Sequence, residues 1–269
     1  MVKIIKYCSN SKEIDASIRH ARIVVADLDG TLAISKSALD DMMAQTIAKL
    51  LRIMKFAVIS GGNIAQFEKQ LLAHLKCDKK LLQNLYLFPT NATAFYKMHN
   101  SVPVLVYAEN LTKREKSEII SAMESALEEA GFSPEKTYGE IIEDRGTQIT
   151  FSALGQNAPI ELKSKWDPER KKRAGIKKLM EKRLRGFQIS IGGTTSIDIS
   201  RKGIDKAYGI KKITEVLGYK KEEMLYVGDS LFKGGNDYPA ATAGVTCISV
   251  KSIDDTRALL ERVIKIKGE

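Results

Sequence analysis

Cysteine is scarce in this chain, and the three present, Cys8, Cys77 and Cys247, are odd in number, widely spaced and outside any CxxC or Cys/His pattern. A disulfide framework and a thiolate zinc site are thereby excluded, and a reducing compartment is expected. No apolar run approaches the roughly 20 residues that a membrane span requires, and Met1 to Asn10 lacks the apolar core of a signal peptide. A soluble, cytoplasmic protein with no membrane partner is therefore expected. Internal repeats, low-complexity tracts and standard nucleic-acid motifs are also missing.

The 269 residues are 43% hydrophobic and 28% charged, a globular composition long enough for two domains or one large α/β domain. The net charge of +10 points to an anionic partner, for which phosphorylated small molecules, nucleic acid and membrane surfaces all qualify. Much of the excess lies in Arg170 to Arg185 on an expected helix, where a solvated helix face is the plain alternative. A nucleic-acid-binding module with a vestigial site stays behind the enzyme readings below, for want of any motif.

Apolar periodicity gives the organisation. Arg22 to Ala26 is a strand covered on both faces, and Asp27 ends it. Met43, Ile47, Leu50, Leu51 and Met54 mark a helix that leads to a strand from Phe56 to Ile59. Ser60, Gly61 and Gly62 stop that strand, and Asn63 with Gln66 opens the next helix. A different rhythm follows: strands at 102–108, 148–153 and 187–191, a helix capped by Thr112 and Glu115, and a helix beginning near Asp167 and Pro168. The first rhythm resumes with a helix from Ile204 to Leu217 closed by Gly218, then strands at 224–227 and 245–250. The expected fold is a doubly wound parallel α/β sheet, at 1–93 and 197–269, interrupted by an α+β cap at 94–196.

Two carboxylates one residue apart, Asp27 and Asp29, stand at the carboxyl end of the first core strand. One can attack phosphorus while the other protonates the leaving oxygen, and Gly30 lets the backbone turn away. An Asx-type turn is the alternative. Gly228-Asp229-Ser230 and Gly234-Gly235-Asn236-Asp237 supply two more carboxylates after another strand. Such oxygen-rich sets suit Mg²⁺, with Asp27 and Asp229, the Asp29 carbonyl and Asp237 as the expected ligands. Ser60 and Lys206 could reach the transferring group, though each alone is a weak signal.

Asp27 to Thr31, Ser60, Lys206 and Asp229 to Asp237, in this order, resemble the four motifs of the haloacid dehalogenase superfamily. The insertion between the second and third motifs implies a C2-type cap. Gly234-Gly235-Asn236-Asp237 resembles the eukaryotic-type phosphomannomutase branch, as do Glu143, Arg145, Ser152, Gly155 and Ile191-Gly192-Gly193. The resemblance implies that Asp27, Asp29, Ser60 and Lys206 are catalytic and that Thr31 and Gly61 lie beside the substrate. It further implies that Arg145 grips a phosphate, that Ser196 and Asp198 touch sugar hydroxyls, and that a homodimer forms through the cap. A surface ion pair and a strand-end turn are the plainer readings of the cap residues. The branch pattern would place arginines where this chain has Lys36, Tyr138 and Gln156, with Arg170 and Arg173 as the available substitutes. A phosphatase of small sugar phosphates is therefore expected first, and a phosphohexomutase acting on mannose phosphates is the alternative.

Overall fold

The computed structural model describes residues 2–268, which divide into two compact units. One runs to Tyr107 and resumes at Asp205; the other runs from Ala108 to Ile204. The first unit begins with β1 (Lys3–Lys6), α1 (Lys12–His20), β2 (Ile23–Asp27), α2 (Asp41–Leu50), β3 (Lys55–Ile59), α3 (Ile64–Gln70), β4 (Leu85–Phe88), β5 (Ala94–His99) and β6 (Val102–Ala108). The second contains α4 (Lys113–Glu129), β7 (Ile142–Asp144), β8 (Ile149–Ser152), α5 (Ile160–Trp166), α6 (Lys171–Arg183), β9 (Phe187–Gly192) and β10 (Ser196–Arg201). The chain then returns with α7 (Lys206–Leu217), β11 (Met224–Gly228), α8 (Tyr238–Thr242), β12 (Thr246–Ser249) and α9 (Ile253–Gly268).

The first unit is built on an eight-stranded sheet in the order β1-β12-β11-β2-β3-β4-β5-β6, parallel from β1 through β4. Successive β2 and β3 side chains serve two cores, as the two-residue period requires. Val24, Ala26, Phe56 and Val58 pack with Ile14 of α1, Ile47 of α2 and Leu259 of α9. Ile23, Val25, Ala57 and Ile59 pack with Ile210 and Ile213 of α7 and Ala240 of α8. Burial on both sides explains why these strands read as continuous apolar runs.

Caps fix the helix starts. Asp40 accepts from Met43 N at 2.7 Å, and Thr112 and Glu115 form the expected reciprocal box. The second unit has a four-stranded antiparallel sheet, β7-β8-β10-β9. Its Ile149, Phe151, Ile197 and Ile199 share a core with Ile119 and Met123 of α4 and Ile176 and Met180 of α6.

The doubly wound core and the inserted α+β unit agree with the sequence pattern, but the boundaries move. They fall at 107/108 and 204/205 rather than 93/94 and 196/197, because β5 and β6 extend the large sheet and all of β10 pairs within the small one. The helix expected near Asp167 and Pro168 is two helices: α5 ends at Trp166, and α6 starts at Lys171. Among the described residues no helix is long and apolar enough to cross a membrane.

The inserted unit has its own core, so damage there should register as its own loss. Phe151 is fully buried and packs edge-on against Phe132 at 5.1 Å. Phe151→Ala is expected to cost this unit about 3–5 kcal/mol, read from urea unfolding followed by Trp166 fluorescence.

Candidate active site

The register of the large sheet brings the carboxyl ends of three strands level. Asp27 lies opposite Ile59, and Val227 lies opposite Ala26, so Asp27, Ser60 and Asp229 emerge at one edge. The strand order reverses at β2, the place where such sheets leave a crevice. Gly30 adopts φ +84°, and a Cβ there would meet the Asp229 carboxyl at 3.0 Å. Thr31 Oγ1 stitches the two loops, donating to Asp229 Oδ1 and accepting from Asp229 N, both at 3.1 Å.

Lys206 is the first residue of α7, whose start Asp205 fixes by accepting from the N–H groups of Ala207 and Tyr208. Its buried ammonium donates to Asp27 Oδ1 at 2.5 Å and to the Ile59 carbonyl at 2.8 Å, and lies 3.6 Å from Asp237 Oδ1. Asp237 also accepts from Tyr226 Oη at 2.6 Å and from Ser230 N at 3.1 Å. Gly228 permits this approach, since a Cβ there would fall 2.5 Å from Asp237 Oδ2.

The charges do not balance. Burial, helped by the Asp237 charge, pushes the Asp27 carboxyl up to about 8 despite the ammonium beside it. Burial opposes the charge on Lys206 too, but Asp27 and Asp237 outweigh it and raise its pKa. Asp229 is raised by burial and by Asp237. One ammonium thus faces an excess of carboxylate. Asp27, Asp229 and Asp237 offer oxygens within 4.8 Å of one another, a hard, anionic donor set that fits a divalent cation taking oxygen ligands.

The carboxylate of Asp29 lies outside that group, and its expected part as a ligand is through the backbone carbonyl alone. Its oxygens accept from Lys36 N at 2.6 Å, Gln66 Nε2 at 2.8 Å and Gln70 Nε2 at 3.4 Å. Gln66 therefore uses only its backbone N–H in capping by Asn63, and its side chain serves Asp29. Ser60 is buried, and its Oγ accepts from Gly62 N at 3.1 Å, with Gly61 between them. Sequence reasoning missed Tyr226, Gln66 and Gln70. The phenol inside the wholly buried strand β11 was a usable signal, because a buried hydroxyl needs a partner.

In the second unit, strand alternation sends Gln148, Thr150, Ser152, Ser196 and Asp198 to the face opposite the Ile149, Phe151, Ile197 and Ile199 core. Asp198 Oδ1 accepts from Thr150 Oγ1 at 2.7 Å and Gln148 Nε2 at 3.0 Å. Arg145 pairs with Glu143 at 2.8 Å and lies 4.0 Å from Asp198. Buried atoms without a hydrogen-bond partner include Ser196 Oγ and Gln156 Nε2. Arg173 is no substitute for a missing phosphate clamp: it is buried on Asp167 at 2.9 Å and donates to the Gly192 and Gly193 carbonyls. Arg170 is exposed.

Two measurements follow from this arrangement. In chelator, the folded chain keeps a proton on Asp27 that the unfolded chain releases above its ordinary value near 4. Stability should therefore fall as pH rises from about 4 to about 8, then level off, and Asp27→Asn should flatten that slope in thermal melts across pH. Tyr226→Phe removes the donor to Asp237 and is expected to cost about 1.5–3 kcal/mol, read as a lower urea midpoint.

Comparison with known proteins agrees with the geometry. The family model described as "Eukaryotic phosphomannomutase" matches residues 43–266. A phosphomannomutase of Spinacia oleracea is 25% identical over 256 residues, covering 93% of this chain and 98% of that relative. Among solved structures, a truncated Plasmodium falciparum IMP-nucleotidase superposes with a TM-score of 0.72 at 19% identity, covering 93% of this chain and 72% of the other. A haloacid dehalogenase-like hydrolase from Bacteroides thetaiotaomicron gives 0.61 at 15% identity, covering 91% and 99%, a likeness of fold. With a core of the haloacid dehalogenase type and a family match over most of its length, the chain belongs to the eukaryotic phosphomannomutase family.

Proposed function

We propose that this chain is a magnesium-dependent phosphohexomutase that interconverts mannose 1-phosphate and mannose 6-phosphate through a phosphoryl group carried on Asp27. The observation that carries the reading is the buried pair of Asp27 with Lys206, beside Asp229 and Asp237, at the carboxyl ends of the strands. Family membership puts transfer ahead of hydrolysis, reversing the order expected from the missing arginines.

An Asp27 oxygen attacks phosphorus of a hexose bisphosphate, the bond from phosphorus to the sugar oxygen breaks, and that oxygen takes a proton from the Asp29 carboxyl. In the return half, a hydroxyl of the bound monophosphate gives its proton to Asp29 and attacks the same phosphorus. The bond from phosphorus to Asp27 then breaks and the carboxylate is restored. For Asp29 to reach the leaving oxygen it would have to release the amides of Gln66 and Gln70, from which it accepts along with Lys36 N. Lys206 offsets charge on the transferring group, and Ser60, Gly61 and Thr31 line its place. Mg²⁺, held by Asp27, Asp229 and Asp237, would supply the remaining positive charge.

The hydrogen-bonding face of the second unit's sheet has the chemistry of a sugar site, with Ser196 Oγ buried and unpartnered and Asp198 an acceptor for hydroxyls. Arg145 is its candidate phosphate ligand.

Hydrolysis is the second reading, favoured by one observation. A mutase must hold the idle phosphate while the other reacts, yet Tyr138 and Gln156 carry no charge and Arg173 is committed to Asp167. With water in place of the sugar hydroxyl, the same Asp27 intermediate yields inorganic phosphate.

The test supplies mannose 1-phosphate with a hexose bisphosphate activator and Mg²⁺, and measures mannose 6-phosphate and free phosphate separately. Mannose 6-phosphate without phosphate release is expected, and Asp27→Asn should lower the rate by at least about a thousandfold. Free phosphate as the main product would replace the mutase with the phosphatase.

A further inference from the structure

The basic stretch Arg170 to Arg185 has no part in the chemistry above, and one wall of a cavity of about 1070 Å³ is made from it. The cavity lies entirely in the second unit, among the C-terminal end of α4, α5 and α6. It is on the helical side of the unit, away from the sheet face that carries Ser196 and Asp198.

Its floor is apolar and partly aromatic, formed by Phe132, Trp166, Ile176 and Leu179. The Phe132 and Trp166 rings meet nearly at right angles, with centroids 6.4 Å apart. Its rim is cationic: Lys136, Lys165, Lys171 and Lys172 face a single lining carboxylate, Glu135. Lys172 Nζ sits 5.2 Å above the Trp166 ring, and Lys136 Nζ sits 4.9 Å above that of Tyr138.

Two features of α6 leave room for an anionic ligand here. Its first turn carries Lys171 and Lys172 and no acidic residue, against the positive end of the helix dipole. The nearby Asp167 carboxylate is consumed by the N–H groups of Lys172 and Arg173 and by the Arg173 guanidinium. Gly175, moreover, sits inside the helix, where glycine lowers stability, and a Cβ there would enter open space on the cavity wall.

We propose that this cavity is a binding site for a mononucleotide, with its base against Trp166 and Phe132 and its phosphate among the rim lysines. A cavity of this size admits a ligand of that class. A neutral apolar guest would leave Lys136, Lys165 and Lys172 facing only Glu135 among the lining residues, Lys171 being paired with Glu169, and inorganic phosphate would leave the aromatic floor in water. A polynucleotide would follow the whole basic helix, including Lys178 and Lys182, which do not line the cavity.

Trp166 is the only tryptophan of the chain and reports occupancy directly. The full chain is titrated with AMP, adenosine and inorganic phosphate as separate probes, following Trp166 fluorescence and heat. Saturable quenching by AMP is expected, with adenosine and phosphate each at least about tenfold weaker. Lys165→Ala combined with Lys172→Ala should weaken AMP by at least about tenfold, whereas Lys178→Ala with Lys182→Ala should leave it unchanged. Gly175→Leu should abolish binding without lowering Tm, because leucine favours the helix while filling the cavity. Asp27→Asn should bind AMP as wild type does, which separates this site from the catalytic one. No saturable quenching by AMP, adenosine binding as well as AMP, loss in the Lys178 and Lys182 variant, or loss in Asp27→Asn would each overturn the proposal.

Discussion

The arrangement at the carboxyl ends of β2, β3 and β11 depends on one buried contact, the ammonium of Lys206 held between Asp27 and Asp237. Removing an ion from water costs several kcal/mol even after relaxation, by general estimates, and it is tolerated only where charges and hydrogen bonds answer it closely. Here the Ile59 carbonyl, the Tyr226 hydroxyl and the Ser230 N–H supply the remaining partners. Their positions are set by the parallel ladder, which brings Asp27 level with Ile59 and Val227 level with Ala26. The contact also joins segments far apart in the chain, since Lys206 returns to Asp27 only after the whole inserted unit has been traversed.

That cluster is electrostatically unfinished. Burial and the neighbouring Asp237 raise Asp27 to about 8, so added positive charge beside it would favour its ionised form. The carboxylates behind that imbalance are also the donor set that fits a divalent cation taking oxygen ligands. Tyr226 strengthens the bias by anchoring the Asp237 carboxylate from below, on a strand otherwise composed of apolar residues and glycine.

The inserted unit divides its labour between its two sides. Strand alternation puts hydrogen-bonding groups on one face of its sheet and the core on the other, and the helices that cover the core leave the lysine-rimmed cavity on their own side. The departures from the family pattern at Tyr138 and Gln156 fall in this unit, as does the commitment of Arg173 to Asp167. Of the three departures from the family pattern, two thus fall in the insertion and one, Lys36, in the core, which also holds Asp27, Ser60, Lys206 and Asp229.

By itself the sequence determined the alternating core, the insertion within it, the strand-end residues Asp27, Ser60 and Asp229, and Lys206 at a helix start. Asp27, Ser60 and Asp229 were readable because buried parallel strands are continuous apolar runs that these residues end or closely follow, and Lys206 because it opens an apolar-periodic helix. It could not determine that β5 and β6 extend the large sheet, since short strands with partly exposed faces lack that signal. Nor could it show that the Asp29 carboxylate turns to Gln66 and Gln70, that Tyr226 holds Asp237, or that Arg173 is buried on Asp167. Local pattern reports burial and turns, but the aim of a side chain is chosen by partners distant in sequence, and only the tertiary structure brings those partners within hydrogen-bonding distance.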